Sequence, residues 1–82
     1  MPTLYVYTTL GCHLCEEAAV LLEMIPCVRQ WQLYYQEIAD DPQLMDLYGV
    51  RIPVLKRDDS KAELNWPFEA ADVQRFLANP AF

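Results

Sequence analysis

The stretch that most constrains this chain is Gly11-Cys12-His13-Leu14-Cys15, which holds two of its three cysteines and its only histidine. A run of β-formers, Thr3-Leu4-Tyr5-Val6-Tyr7, leads into it. Residues 8–11 read as a turn. A helix-like run over residues 16–25 leaves it, with Leu14, Ala18, Leu21, Leu22 and Ile25 at helical spacing and Glu16, Glu17 and Glu23 on the other side. Pro26 ends that run. The paired cysteines therefore sit between a strand and a helix.

That placement has chemical consequences. A cysteine at the first turn of a helix lies near unsatisfied backbone N–H groups and the positive end of the helix dipole. Both favour thiolate over thiol, and the thiolate is the attacking species in disulfide exchange. Cys15, three residues on, shares a helical face with Cys12. The redox reading makes Cys12 the nucleophile and Cys15 the resolving thiol, with Gly11, His13 and Leu14 flanking them. A protonated His13 would support the Cys12 thiolate, while Glu16 and Glu17 oppose it. Half of a zinc site and a pair of inert core cysteines stay open on these residues alone. Zinc lacks a second Cys-x-x-Cys or paired histidines, and Cys12, His13, Cys15 and distant Cys27 make a poor tetrahedral set. Cys27 itself reads as a small buried residue at the helix exit, against the alternative of an external thiol for glutathionylation or dimer formation.

Downstream, residues 33–38 read as a strand preceded by the packing residue Trp31. Asp40-Asp41-Pro42 opens a helix, with Pro42 at its first position and Gln43 three residues after Asp40, the spacing of a capping box. Leu44, Leu47 and Tyr48 supply its apolar face, and Gly49 is placed to terminate it. Val50-Arg51-Ile52-Pro53-Val54-Leu55 has strand character, yet a proline cannot donate to a sheet ladder, so Pro53 belongs at a strand entrance or a bend. Residues 56–61 form a hairpin loop and residues 62–65 the returning strand. Trp66-Pro67 turns the chain into a helix over residues 69–77, with Val73, Phe76 and Leu77 inward, and Asn79-Pro80 stops it. The order is β-α-β-α-β-β-α: one α/β domain over residues 1–82, a mixed four-stranded sheet with helices on both faces. The cysteine pair falls at the carboxyl end of the first strand, where open α/β sheets place their sites.

Composition narrows the partners. Six basic residues against twelve acidic ones give a formal net charge of −6, which argues against nucleic-acid binding. Four of the basic residues, Arg51, Lys56, Arg57 and Lys61, fall in one stretch that reads as a solvated hairpin. No apolar run approaches the roughly 20 residues that span a bilayer, and no signal peptide is visible at the N-terminus. A reducing cytoplasm, without a structural disulfide, is the expected setting.

With Tyr5-Val6-Tyr7, Cys12-His13-Leu14-Cys15-Glu16, Ile38-Ala39-Asp40-Asp41-Pro42, Tyr48-Gly49-Val50-Arg51-Ile52-Pro53-Val54-Leu55 and Trp66-Pro67-Phe68 in this order, the chain resembles a glutaredoxin-like member of the thioredoxin superfamily, more narrowly a group of small bacterial proteins carrying Gly-Cys-His-Leu-Cys. The resemblance implies the thioredoxin/glutaredoxin-like fold, a cis bond at Ile52–Pro53 facing the cysteine pair, and substrate contact through Ile52 and Pro53. It implies a monomeric thiol–disulfide oxidoreductase acting on a protein disulfide or a glutathione mixed disulfide, with glutathione as candidate reductant or substrate and no resident cofactor. The alternative is a non-catalytic binding module or a carrier of a metal or iron–sulfur cluster. Where glutaredoxins carry a lysine three residues before the first cysteine, this chain has Thr9. Where they carry a Gly-Gly turn and an aspartate, it has residues 65–72 without glycine. Glu69 or Asp72 is the candidate replacement for the aspartate, and Arg51 the candidate cation.

Overall fold

In the computed structural model, which describes residues 2–79, the other strands assemble around β1 (Thr3–Thr8). On one side it pairs in parallel with β2 (Gln32–Glu37), from Thr3 opposite Gln32 to Thr8 opposite Glu37. On the other it pairs antiparallel with β3 (Val54–Arg57), from Leu4 opposite Arg57 to Tyr7 opposite Val54. The short β4 (Glu63–Asn65) closes the hairpin, giving the order β2-β1-β3-β4. The helices are α1 (His13–Glu23), α2 (Pro42–Tyr48) and α3 (Ala70–Ala78). Among the described residues no helix is long and apolar enough to cross a membrane.

Successive strand residues point to opposite faces, and the two faces are filled differently. Leu4, Val6 and Leu55 pack with Ala18 and Leu22 of α1, with Ile25 just beyond that helix, and with Val73, Phe76 and Leu77 of α3. Tyr7 and Val54 point the other way, to Ile38 and to Tyr48 of α2, with Tyr5, Leu44 and Ile52 partly buried beside them. On that second face the rings of Tyr7 and Tyr48 stack at 4.2 Å. Burial, above all, raises the Tyr7 hydroxyl above its ordinary value. Tyr48 is raised more strongly, first by burial and then by donating a 2.7 Å hydrogen bond to Glu63.

Several local expectations shift. After α1 the chain enters a short 3-10 helix, Pro26–Gln30, which the sequence reading did not anticipate; Pro26 opens it instead of ending α1. The α1 stripe is also rotated: Cys15, Ala18 and Leu22 are buried, whereas Leu14 is 44% exposed. In α2 the cap is Asp41, whose carboxylate accepts from the Gln43 and Leu44 N–H groups at 2.9 and 3.4 Å. With Asp41 as the cap, Gln43 is one position too early for the capping box expected with Asp40. Leu47 is 60% exposed, and Gly49 ends the helix as its C-cap with right-handed backbone at φ −51°. A reciprocal cap forms instead at α3, where the Glu69 N–H donates to Asp72 at 2.8 Å. The expected stop at Asn79 holds as the C-cap of α3, while Pro80 lies outside the described residues.

The largest correction concerns Arg57. Grouped with Arg51, Lys56 and Lys61 as part of a solvated hairpin, it is only 3% exposed. Residue 57 pairs with Leu4, so its side chain leaves the sheet on the face of the first core. Its guanidinium binds both Asp59 oxygens, at 3.0 and 2.9 Å, and donates to the carbonyls of Phe76 and Asn79 at the end of α3. It also lies 5.0 Å from the centre of the Trp31 ring. Arg57→Ala leaves these acceptors without their charged donor. It should cost about 3 kcal/mol of unfolding free energy, measured by urea titration, with Arg57→Lys recovering only part because lysine lacks the planar fork.

Candidate functional site

The chain leaves β1 at Thr8 and reaches α1 through one tight turn. The Cys12 N–H donates to the Thr9 carbonyl at 3.2 Å, and Gly11 sits at φ +80°, a left-handed conformation that residues with a Cβ rarely adopt. Cys12 is the N-cap of α1, and its sulfur accepts the Cys15 N–H at 3.2 Å. The Cys12 and Cys15 sulfurs are at disulfide distance, with Cα atoms 5.2 Å apart. Cys12 is half-buried and Cys15 only 5% exposed. The arrangement supplies an accessible sulfur at the positive end of a helix with a second sulfur behind it.

Register brings the other end of the site to the same place. Tyr7 is opposite Val54, and Val54 is opposite Asn65. Continued one step, these pairings bring Thr8, Pro53 and Trp66 into one row at the carboxyl end of β1, with Glu37 completing it on the β2 side. Pro53 is fully buried, and the Ile52–Pro53 and Trp66–Pro67 bonds are both cis.

Glu37 is the residue that the sequence reading missed. Its carboxylate accepts the Leu10 N–H at 2.9 Å and the Ala39 N–H at 3.0 Å. It thereby ties the turn that carries Cys12 to the end of β2. A hydrogen bond from the Thr9 side chain, with those from the backbone, holds its pKa below the ordinary 4.5. The available signal was an acid ending a strand whose parallel partner ends at the motif.

The site residues read from the sequence divide into neighbouring grooves. Gly11, Cys12 and Cys15 line one, with Thr8, Thr9, Leu10, Glu16 and Tyr35. Leu14, Arg51 and Ile52 line a second, with Val50, Asn65 and Trp66. His13 lines neither; it lies on the outer side of α1, 3.6 Å from Glu16. Arg51 is already engaged. Its guanidinium donates to the Leu47 carbonyl at 3.0 Å, to Glu63 at 3.4 Å and to Asn65 at 3.3 Å, and it covers the Tyr48 ring. Asp72, a candidate to replace the aspartate, is taken up by the α3 cap and by Arg75 at 2.7 Å. Cys27 is a free thiol packed partly buried against the first core. Among the described residues no three His, Cys, Asp or Glu side chains gather as metal ligands.

Residues 3–78 match the family described as "Glutaredoxin-like domain (DUF836)". Among solved structures, the chain is similar to the structural-genomics target protein XcR50 from X. campestris. Its crystal structure is 37% identical with a TM-score of 0.80, over 95% of this chain and 100% of that one. Its solution structure gives 35% and 0.78, over 95% and 96% of the two chains. Protein Ne2328 from Nitrosomonas europaea is 28% identical with a TM-score of 0.74, over 92% and 89%. No curated protein matches.

The Glu37 contacts give a pH signature. The folded carboxyl titrates below its unfolded value, so its contribution to stability is full above about pH 4.5 and is lost as pH falls through the lowered folded value. Glu37→Gln removes that titration. Between about pH 5.5 and 3 its melting temperature should fall less steeply than that of the wild type, and equal slopes would mean that the carboxylate is not held as described.

Proposed function

We propose that this chain, which belongs to the glutaredoxin-like domain family (DUF836), is a thiol–disulfide oxidoreductase. The observation that carries this reading is the Cys12–Cys15 pair at disulfide distance on the N-terminal end of α1, with Cys12 the more accessible sulfur. In the reduced protein the Cys12 thiolate attacks a disulfide of the partner, forming a mixed disulfide and releasing one partner thiolate, which takes up a proton. Cys15, giving up its own proton, attacks the Cys12 sulfur, forms the Cys12–Cys15 disulfide and releases the second partner thiolate. Two electrons and two protons pass to the partner.

The N-terminus of α1 lowers the cost of the Cys12 thiolate through its dipole and through the Cys15 N–H that points at the sulfur. The burial of Cys15 favours its neutral thiol until it is needed. Ile52 and Pro53, brought beside the end of β1 by the sheet register, border the place where the partner's disulfide approaches. The partner is a protein disulfide or a glutathione mixed disulfide, and a reducing cytoplasm keeps the pair able to donate electrons.

Purified protein titrated against glutathione buffers, with thiol state read by mass spectrometry, should show a two-electron transition confined to Cys12 and Cys15. Its midpoint should fall between about −270 and −120 mV, the span from thioredoxin to DsbA. Failure to form the Cys12–Cys15 disulfide anywhere in that range would remove the oxidoreductase reading. Cys12→Ser should abolish turnover, whereas Cys15→Ser should accumulate a mixed disulfide on Cys12. Adduct in Cys12→Ser alone would reverse the two roles.

A further inference from the structure

We infer that the disulfide acted on is carried by a polypeptide with apolar, non-acidic residues beside its cysteine, in preference to glutathione; this rests on the oxidoreductase reading above. The groove next to the cysteine pair is lined by Leu14, Val50, Ile52 and Trp66, with Arg51 and Asn65 as its polar members. Leu14 stands in the first turn of α1 with the cysteines, and Ile52 precedes Pro53, which the register continued one step sets opposite Thr8, so this groove lies at the same end of the sheet as the pair. Val50 is fully exposed, and Leu10, on the sulfur side, is 94% exposed. An exposed Val50 continuous with Leu14, Ile52 and Trp66 in one groove marks an interaction surface.

Charge points the same way. Glutathione presents two carboxylates, and a site that prefers it must meet them with cations. Among the residues lining the two grooves Arg51 is the only cation, and its guanidinium is bound to Glu63, Asn65 and the Leu47 carbonyl. Thr9 provides no charge, Glu16 adds a negative one to the sulfur groove, and the chain carries a net charge of −6. Apolar side chains of a partner lose nothing to these features and gain contact with Leu14, Val50 and Trp66.

The test is single-turnover exchange by protein reduced in advance and freed of reductant. The disulfides are a linked pair of peptides with Leu and Val beside the cysteine, the same pair with Asp there, oxidised glutathione, and neutral hydroxyethyl disulfide. Each rate is divided by that of dithiothreitol with the same disulfide, to remove intrinsic reactivity. The apolar peptide should react about tenfold faster than either the acidic peptide or oxidised glutathione, equivalent to ~1.4 kcal/mol. Val50→Asp should remove most of that advantage, and Val20→Asp, on the outer face of α1, should leave it intact. Oxidised glutathione matching the apolar peptide, or an unchanged advantage in Val50→Asp, overturns the inference, while reaction with hydroxyethyl disulfide preserves the oxidoreductase reading. No exchange with any of the four disulfides overturns both.

Discussion

Everything at the site hangs on the pairing of β1 with two strands at once. Parallel bonding to β2 sets Glu37 beside Thr8, and antiparallel bonding to β3 leads Pro53 to the other side of it. A slip of one residue in either ladder would turn the strand's side chains over and move these groups to the wrong face. The slip is opposed by burial on both faces, because Leu4 and Val6 fill one core while Tyr7 stacks on Tyr48 in the other. The hydrophobic alternation of a six-residue strand thus determines which backbone and side-chain groups surround two sulfurs beyond its end.

Much of this was legible in the sequence. Strand and helix order, a mixed four-stranded sheet, the strand-to-helix position of the cysteines and the place of Pro53 before a strand all follow from period, turn residues and the rules for crossovers. What escaped depended on rotation or on distant partners. Leu14 faces outward because α1 begins at His13 and takes Cys15 inward in its place. Arg57 carries a charge that composition assigns to water, and only its position opposite Leu4, over the first core, reveals that it is buried. Glu37 holds the Leu10 N–H, 27 residues earlier in the chain, a relation that no local pattern encodes.

The same distinction governs partner recognition. An arginine near a cysteine pair reads as a cation available to a ligand. In the folded chain Arg51 instead fastens the segment after α2 to the edge strand, through Glu63 and Asn65. Side-chain identity gives the chemistry that a residue can offer, and its hydrogen-bond partners determine how much of that chemistry remains for anything else. In this fold the cationic capacity beside the site is committed internally, and Leu14, Val50, Ile52 and Trp66 are the side chains that share the groove with Arg51 and Asn65.

The Arg57 contacts bear on how the end of α3 tolerates change. The final turn of a helix is ordinarily the part that frays first. In this chain the carbonyls of Phe76 and Asn79 receive a buried guanidinium from the central hairpin. Disrupting the last turn of α3 would leave that buried cation with Asp59 alone, so the helix end acts as a keystone for a strand that precedes it by some 20 residues.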